Sequence, residues 1–311
     1  MRIVFMGTPE FAVPSLKAVV QAGFEIAAVV TSPDEPQGRG LKVSPPAIKI
    51  AAEEMGLRVI QAASLKEPSF ADALREIAPD LIVVVAFRIL PREVFTIPPL
   101  GTFNLHASLL PRYRGAAPIN WAVVNGERET GITTFFLDEK VDTGRIILQK
   151  RTAIGDNETA GELSKRLAVL GAQAVVETLK LVDGGNVTIV EQDNSLATKA
   201  PKISKEDCLI EWARPARDVH NFIRGFSPEP AAFTFLKGKL LRIFRSELTG
   251  VKASGQTAEV AVEGGRLFIS CSDEMLEIHE LQLEGKKKLN AREFLRGARI
   301  EPHTRMDRTR N

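Results

Sequence analysis

The sequence is poor in the residues that build disulfide frameworks and metal sites. Its 311 residues include two cysteines, Cys208 and Cys271, and four histidines. Two cysteines can form one disulfide at most, and no cysteines and histidines stand at ligand spacing, so we expect no structural zinc and no other metal. This composition argues against the small secreted proteins whose stability depends on disulfides.

Long apolar runs are also missing. No segment approaches the roughly 20 apolar residues that a membrane-spanning helix needs. The start of the chain, Met1-Arg2 followed by IVFMG, lacks a small-residue cleavage site after an apolar stretch and reads as a first strand. We therefore expect a cytoplasmic protein without membrane contact. The 44% hydrophobic and 26% charged residues are typical of globular proteins.

Short apolar runs alternate with helical patterns through the first part of the chain. Runs such as RIVFMG, EIAAVV and DLIVVVAF are apolar throughout, as in parallel strands covered on both faces. The first helix is predicted to begin with Thr8 as its N-cap and Pro9 at its first position. We predict an α/β fold, a doubly wound and mostly parallel sheet, over residues 1–189.

The pattern changes in the last third of the chain. A polar segment with several lysines, residues 190–205, is predicted to be a linker. Closely spaced short strands with glycine turns then predict a second, smaller β-barrel or sandwich over residues 206–311. The final 27 residues hold nine Lys/Arg and three Asp/Glu. Such a bias fits a polyanion partner and equally fits a solvated tail.

The turn after the first strand, MGTPEF, lacks the glycine fingerprint of dinucleotide-binding domains. Only Gly7 precedes Thr-Pro-Glu, and the carboxylate of Glu10 would repel a pyrophosphate. The segment therefore predicts a tight turn rather than a dinucleotide site.

The segment NLHASLLPRYRGAAPINWA carries the strongest chemical signal. Asn104 and His106 alternate on one face of a strand, and His106 is the only histidine among the first 219 residues. Open α/β sheets bind ligands at the carboxyl ends of their strands, where this segment and the Asp-Thr-Gly turn at Asp142 are both expected to lie. Asn104, His106 and Asp142 are therefore the candidate catalytic residues.

These three side chains suit acyl transfer to an amine. A tetrahedral intermediate places negative charge on the former carbonyl oxygen, and each donor aimed at that oxygen contributes roughly 3 kcal/mol. Asn104 offers an amide N–H and His106 an imidazole N–H. The Asp142 carboxylate would hold the tautomer of the ring and favour its charged form. The attacking group can be the amine itself, without a nucleophilic side chain.

The chain resembles the 10-formyltetrahydrofolate-dependent formyltransferases. NLHASLLPRYRGAAPINWA and the later DTG carry the Asn-x-His…Asp set of this family. RGAAPI, RIVFMGTPEFAVPSL, PDEPQGRGLKVSPPAIK and KISKEDCLIEW resemble the branch that acts on transfer RNA. The resemblance implies a formyltransferase Rossmann-like domain followed by an OB-like barrel that binds transfer RNA.

It also implies the substrates, with 10-formyltetrahydrofolate as donor and no metal. The acceptor would be the α-amino group of methionine esterified to initiator transfer RNA, so the reaction would serve translation initiation. Asn104 and His106 would stabilise the oxyanion, while Asp142 would orient His106 and organise a proton-relaying water. We expect the chain to act as a monomer.

The family's binding segments transfer onto this sequence as follows. The folate would contact the turn of Ser108, Leu109, Leu110 and Pro111 and the loop of Phe87, Arg88, Ile89 and Leu90. This loop reads AFRILP where many members of the transfer-RNA branch carry Tyr-Gly, and it resembles the glycinamide ribonucleotide enzymes there. The transfer RNA would contact Arg39 and Lys42 in a glycine-rich basic loop, together with Arg112 and Arg114.

Two alternatives remain open from the residues. One is another folate enzyme, acting on glycinamide ribonucleotide or an amino sugar. The other is a non-catalytic nucleic-acid-binding protein, which would have no use for Asn104, His106 and Asp142.

Overall fold

The structure is a computed structural model that describes residues 1–37, 42–253, 255–298 and 300–309. The chain divides into two compact units. The first comprises Met1–Gly115, Thr130–Thr152 and Ser164–Lys199. The second comprises Ala116–Glu129, Ala153–Leu163 and Ala200–Asn311. The boundaries 1–189, 190–205 and 206–311 treat each domain as one continuous stretch, and they stay a prediction.

A seven-stranded sheet forms the centre of the first unit. Its elements in chain order are β1 (Arg2–Gly7), α1 (Val13–Gln21), β2 (Glu25–Thr31), β3 (Glu35–Gln37), β4 (Lys42–Ser44), α2 (Ala47–Glu54), β5 (Val59–Gln61), α3 (Pro68–Ile77), β6 (Leu81–Val85), α4 (Arg92–Phe95), β7 (Thr102–His106), β8 (Glu129–Phe136), β9 (Ile146–Ala153) and α6 (Ala160–Asp183). Both β8 and α6 begin at residues that belong to the second unit.

The strand order of this sheet is β5-β2-β1-β6-β7-β8-β9. The five strands from β5 to β7 run parallel, and β8 pairs antiparallel with β7. The central strands are buried along most of their length, which explains why their sequences are apolar without alternation. The predicted doubly wound, mostly parallel sheet is confirmed.

The order places the reversal of winding beside β1 and β6. From β1 the chain moves to β2 and β5, and it then returns past β1 to β6 and β7. Ligands of such sheets bind in the crevice outside the carboxyl ends of the strands at this reversal. The segments that follow β1, β6 and β7 are therefore the ones to search for a site.

The start of α1 differs from the prediction. A 3-10 turn at Glu10–Ala12 precedes the helix, which begins at Val13 with Ala12 as its N-cap residue. Thr8 lies before that turn and its hydroxyl pairs with the Ser32 hydroxyl at 3.3 Å. The predicted Thr8 cap is therefore wrong. Pro14 lies in the first turn of the helix that begins at Val13, a position that tolerates a residue without an N–H.

The second unit contains a smaller antiparallel sheet and short helices. Its elements are α5 (Pro118–Val124), α7 (Ala216–Gly225), β10 (Ala232–Leu236), β11 (Lys239–Lys252), β12 (Val260–Glu263), β13 (Arg266–Ser270), β14 (Glu274–Leu283), β15 (Leu289–Asn290) and α8 (Ala291–Gly297). The strand order is β10-β11-β14-β13-β12, with β15 paired to β14. Inward-facing side chains such as Leu241, Ile269 and Ile278 form its core.

The carboxyl-terminal residues join the two edges of this sheet. The Asp307 N–H donates to the Phe235 carbonyl at 2.8 Å on β10. Three residues earlier, the Val260 N–H on β12 donates to the Thr304 carbonyl at 2.8 Å. This segment therefore closes the sheet into the small barrel that the sequence predicted. Residues 304–307 are part of the fold, although their composition also suited a solvated tail.

No helix among the described residues is long and apolar enough to span a membrane. Cys208 and Cys271 are both buried with free thiols.

Candidate active site

Two of the three polar residues of β7, Asn104 and His106, lie towards the carboxyl edge of the parallel strands. Asn104 is half-buried and His106 is buried, and both point to the face shared with Phe135 and Thr133 of β8. Within the described part of the chain, the side-chain amide of Asn104 makes no hydrogen bond. A half-buried amide in this state has its donors available for a ligand.

His106 is held by contacts on both sides of its ring. Nε2 lies 2.8 Å from the Tyr113 carbonyl oxygen, and the ring packs edge-on against Phe135 at 6.5 Å between centroids. Because a carbonyl oxygen only accepts hydrogen bonds, this contact assigns a proton to Nε2. The second nitrogen, Nδ1, lies 3.7 Å from Oδ2 of Asp142.

The turn between β8 and β9 presents Asp142 to the ring. Asp142 adopts φ +55°, a left-handed conformation that aspartate tolerates better than most residues. Its Oδ2 accepts the Gly115 N–H at 2.8 Å. At Gly144 a Cβ atom would lie 1.7 Å from the Phe136 carbonyl oxygen, so only glycine allows this close approach to β8.

One short segment therefore orients both members of the pair. The Tyr113 carbonyl accepts a hydrogen bond from the His106 ring, and the Gly115 N–H donates one to the Asp142 carboxylate. The segment is itself held by Thr198, whose hydroxyl accepts the Tyr113 N–H at 2.8 Å. The sequence placed Asn104, His106 and Asp142 at one rim, and the structure brings the ring and the carboxylate together.

The turn that follows β7 carries the predicted folate contacts Ser108, Leu109, Leu110 and Pro111. The buried Ser108 hydroxyl donates to the Arg112 carbonyl at 2.6 Å and so closes the turn on itself. Leu109 is half-buried and packs against β8 beside Gly131. The hydroxyl of Ser108 is thus committed within the protein.

Two side chains that sequence reasoning missed hold this turn in place. The buried Thr133 hydroxyl donates to the Ser108 carbonyl at 2.7 Å and accepts the Leu110 N–H at 3.1 Å. Gln149 donates to the Leu110 carbonyl at 2.8 Å and to the Thr133 hydroxyl at 3.0 Å. Thr133 stands directly opposite His106 in the sheet. Because a β-branched residue is ordinary in a strand, nothing in the sequence distinguished this role of Thr133.

The loop after β6 contains the other predicted folate contacts. Phe87 packs into the core of the unit, and Leu90 is buried in the same cluster. The guanidinium of Arg88 stacks on Phe87 and donates to the Ala63 carbonyl at 2.9 Å. Ile89 is 77% exposed. Arg88 therefore anchors the loop, and Ile89 is the side chain of this loop that faces outward.

A cavity of about 510 Å³ opens beside the carboxyl ends of β1 and β2. Its lining combines apolar residues (Pro9, Pro33, Pro45, Pro46, Ala47 and Ile50) with polar ones (Thr8, Glu10, Ser32, Glu35 and Ser44). Glu10 also lines it, in agreement with the expectation that this turn does not hold a pyrophosphate. The cavity has the size and lining of a small-molecule or side-chain pocket.

The predicted transfer-RNA contacts divide into two groups. Arg39 and the side chain of Lys42 lie outside the described residues. The side chain of Arg114 donates to Oε1 of Gln192 at 2.7 Å and to Oδ1 of Asn194 at 2.8 Å. Arg112 stacks on the ring of Tyr113 at 5.6 Å.

Three groups of metal-ligating type meet on the sheet of the second unit. Ligand atoms of Glu247, Glu277 and His279 lie within 4.8 Å of one another. Arg266 forms a two-point ion pair with Glu277, and His279 lies 3.0 Å from Glu247. The carboxylate of Glu277 is neutralised by Arg266 and a hydrogen bond joins His279 to Glu247, so we assign no metal site to this cluster.

The comparison with known proteins decides the family. Residues 1–179 match the formyl transferase family, and residues 202–299 match the formyl transferase C-terminal domain. Over 307 residues the chain is 50% identical to methionyl-tRNA formyltransferase from Chlorobium luteolum, an alignment that covers 97% of this chain and 98% of that protein. The chain belongs to the methionyl-tRNA formyltransferase family.

A second relative and two solved structures agree with this membership. The methionyl-tRNA formyltransferase of Geobacter sulfurreducens is 47% identical over 98% of this chain and 96% of its own. An N-formyltransferase from Helicobacter canadensis, solved with folinic acid and dTDP-3-aminofucose, is 22% identical with a TM-score of 0.69, covering 92% of this chain and 99% of its own. HypX from Aquifex aeolicus, solved with tetrahydrofolic acid, is 20% identical with a TM-score of 0.67. The match covers 97% of this chain and 49% of HypX. These two structures share the fold.

As a member of the methionyl-tRNA formyltransferase family, the chain is a formyl-transferring enzyme of translation initiation. Both alternatives left open by the sequence are therefore wrong. The near-complete match to these relatives excludes a non-catalytic nucleic-acid-binding protein, and it favours this branch over enzymes acting on sugars or ribonucleotides.

Proposed function

We propose that Asn104, His106 and Asp142 carry the transfer of a formyl group from 10-formyltetrahydrofolate to the α-amino group of methionine on initiator transfer RNA. The observation that carries the proposal is the approach of Nδ1 of His106 to Oδ2 of Asp142, at 3.7 Å, beside an Asn104 amide that bonds to none of the described residues. The curated relatives named methionyl-tRNA formyltransferase support the choice of substrates.

The reaction exchanges one bond to carbon for another. The neutral amine of methionine attacks the formyl carbon, and a tetrahedral intermediate forms with negative charge on the former carbonyl oxygen. Collapse of the intermediate breaks the bond to N10 of the folate. One proton leaves the attacking nitrogen and one arrives on N10, so tetrahydrofolate departs neutral at that atom.

Asn104 and His106 supply donors for the developing oxyanion. The amide N–H groups of Asn104 have no other described partner, and Nδ1 of His106, the nitrogen free of the Tyr113 carbonyl, donates when the ring carries a second proton. Preorganised donors of this kind stabilise the transition state because they need not reorient as the charge develops. The low exposure of His106 strengthens each interaction by excluding water.

Asp142 acts through the ring and through water. Its carboxylate faces Nδ1 and stabilises positive charge that develops on the imidazole during the transfer. A separation of 3.7 Å is longer than a direct hydrogen bond, so the carboxylate keeps acceptor sites for a water molecule that carries the proton away from the amine.

The donor would lie along the turn and loop beside this pair. The turn of Ser108, Leu109, Leu110 and Pro111 is rigidly held by Thr133 and Gln149, so its surface is preformed for the ligand. The exposed Ile89, in the loop with Phe87, Arg88 and Leu90, would cover an aromatic ring of the folate. The cavity beside Pro9 and Ile50, whose lining is partly apolar, is the candidate for the methionine side chain.

The experiment that tests the function is mass spectrometry of the acceptor. The chain is incubated with 10-formyltetrahydrofolate and methionyl initiator transfer RNA, and formyl-methionine is measured after deacylation. Uncharged initiator and methionyl elongator transfer RNA are the controls. We expect formyl-methionine from the charged initiator. Its absence, or equal formylation of the elongator, would contradict the proposed acceptor.

The basic residues are proposed as contacts to the transfer-RNA phosphates. Arg39, Lys42, Arg112 and Arg114 would supply affinity that depends on salt. Replacing Arg39 by alanine should weaken binding and reduce the slope of log affinity against log salt by about one unit. Filter binding at several salt concentrations measures the slope, and an unchanged slope would remove Arg39 from the interface. We place the reaction in the cytoplasm, where charged transfer RNA is used, with a monomer as the active form.

A further inference from the structure

The polar segment after α6 reaches the turn that carries Asp142. Gln192 is 8% exposed, and its Nε2 donates to the Asp142 carbonyl at 3.0 Å and to the Gly144 carbonyl at 2.7 Å. Its Oε1 accepts from Nε of Arg114 at 3.1 Å and from Nη2 at 2.7 Å. One amide thus joins the Asp142 turn to the side chain that follows Tyr113.

These partners leave only one orientation for the amide. A guanidinium only donates and a carbonyl oxygen only accepts, so Oε1 must face Arg114 and Nε2 must face the turn. Both N–H groups and both acceptor sites of the amide are then used. A glutamine that merely filled space would not need all four contacts.

The turn that Gln192 binds contains Asp142 in a strained backbone conformation. Asp142 has φ +55°, a conformation that costs a non-glycine residue free energy unless its surroundings maintain it. The side chain of Asp142 is fixed by the Gly115 N–H, whereas its backbone is fixed by Gln192. Arg114 directly precedes Gly115, so both restraints on Asp142 start from the same segment.

We propose that Gln192, oriented by Arg114, is a positioning residue that sets the distance between the Asp142 carboxylate and the His106 ring. The inference rests on the proposed function, since it concerns the same reaction. Gln192 touches neither ring nor carboxylate, and it acts through the backbone of Asp142. Displacements of about 1 Å in such a constellation can lower turnover about 10²-fold.

The isosteric variant Gln192→Glu is the sharpest test. It keeps the shape and the contact with Arg114, but it turns a carboxylate oxygen towards the two carbonyl oxygens that Nε2 now binds. We expect kcat to fall about 10²-fold, with a much smaller change in folate affinity. The loss should shrink as the pH is lowered, because a protonated carboxyl can again donate to a carbonyl. A role in packing alone would not produce this pH dependence.

Two further variants keep the result interpretable. Gln192→Ala removes the amide without adding repulsion, and it should lose less turnover than Gln192→Glu. Gln21→Glu makes the same chemical change at an exposed position at the end of α1, and it should behave as the wild type. Folate-binding stoichiometry and the unfolding temperature report the fraction of folded protein in each sample.

The outcomes separate this inference from the function on which it rests. If the wild type forms no formyl-methionine, the proposed function fails and the inference fails with it. If the wild type is active, His106→Ala is inactive and Gln192→Glu turns over at the wild-type rate, only the positioning role is overturned. The same holds if the loss in Gln192→Glu equals its loss of folded protein or is independent of pH.

Discussion

The molecule contains two buried histidines whose surroundings differ in one decisive respect. His106 is 6% exposed and His220 is 2% exposed. The ring of His220, on α7, lies 3.0 Å from the Ser246 hydroxyl through Nδ1 and 3.1 Å from the Asp156 carbonyl through Nε2. The ring of His106 has a comparable carbonyl contact on one nitrogen only, and its other nitrogen faces a carboxylate.

The comparison teaches that burial does not make a histidine catalytic. The carbonyl of Asp156 only accepts, so Nε2 of His220 carries the proton and Nδ1 accepts from the Ser246 hydroxyl. Both nitrogens are satisfied by neutral partners within the second unit, and the pKa of His220 is lowered, mainly by burial. His106 keeps one nitrogen and a neighbouring charge for chemistry. The two histidines therefore differ in the group that faces their second ring nitrogen, a carboxylate for His106 and a hydroxyl for His220.

The largest effect should follow from replacing His106. In His106→Ala the oxyanion loses a donor and Asp142 loses the ring through which it acts, so we expect turnover to fall about 10³-fold. Folate affinity should change far less, because the turn after β7 is held by Thr133 and Gln149. Single-turnover formylation measures the first quantity and fluorescence titration with folate the second. Retained turnover would refute the assignment.

The matched variant His220→Ala should lower the stability of the protein and leave its turnover unchanged. It leaves the Asp156 carbonyl and the Ser246 hydroxyl without their partner in a buried region, at a cost of about 2–4 kcal/mol in the free energy of unfolding. Turnover per folded molecule should remain that of the wild type. Urea unfolding and formylation of the same samples test both statements, and a specific loss of turnover would erase the contrast between the two histidines.

The second-largest effect on turnover should follow from replacing Asp142, whose carboxylate faces His106 and has no counterpart among the described partners of the ring nitrogens of His220. Asp142→Asn keeps an oxygen that can accept the Gly115 N–H, but it removes the charge that faces Nδ1. We expect turnover to fall about 10²-fold, with folate affinity little changed. The control is Asp138→Asn, an exposed residue of the same turn. Equal losses of turnover and folate affinity in Asp142→Asn would contradict its proposed role.

The parts of this picture that the sequence predicted rest on local patterns. Alternation along β7 placed Asn104 and His106 on one face, and the rule for parallel sheets placed the Asp142 turn at the same edge. The uniformly apolar strands predicted the buried sheet. Each of these inferences uses a period of two or a known connection between neighbouring elements, which one sequence can display.

The parts that could not be predicted depend on contacts between distant segments. Gln192 bonds to residues 78 and 50 positions earlier in the chain, and Thr198 bonds to a residue 85 positions earlier. Both lie in a stretch whose polarity suggested a linker. The closure of the second sheet by Thr304 and Asp307 depends on similar distant pairs. A hydrogen bond of this kind requires only one polar residue and leaves no periodic pattern in the sequence.

The smallest predicted effect concerns His220 and the pH dependence of the free energy of unfolding. His220 is held neutral because burial lowers its pKa below the ordinary value of 6.5, and the neighbouring Arg224 and Arg217 act in the same direction while Glu247 opposes them. Between the lowered pKa and 6.5 the unfolded chain binds more protons than the folded chain, so the free energy of unfolding should decrease as the pH falls through this window. Above pH 6.5 this contribution is fully present. His220→Gln, which does not titrate, should show a weaker dependence over the same window. Urea unfolding from pH 7.5 to 5.0 measures the difference, and identical pH dependence in the two proteins would show that His220 is not held neutral by the fold.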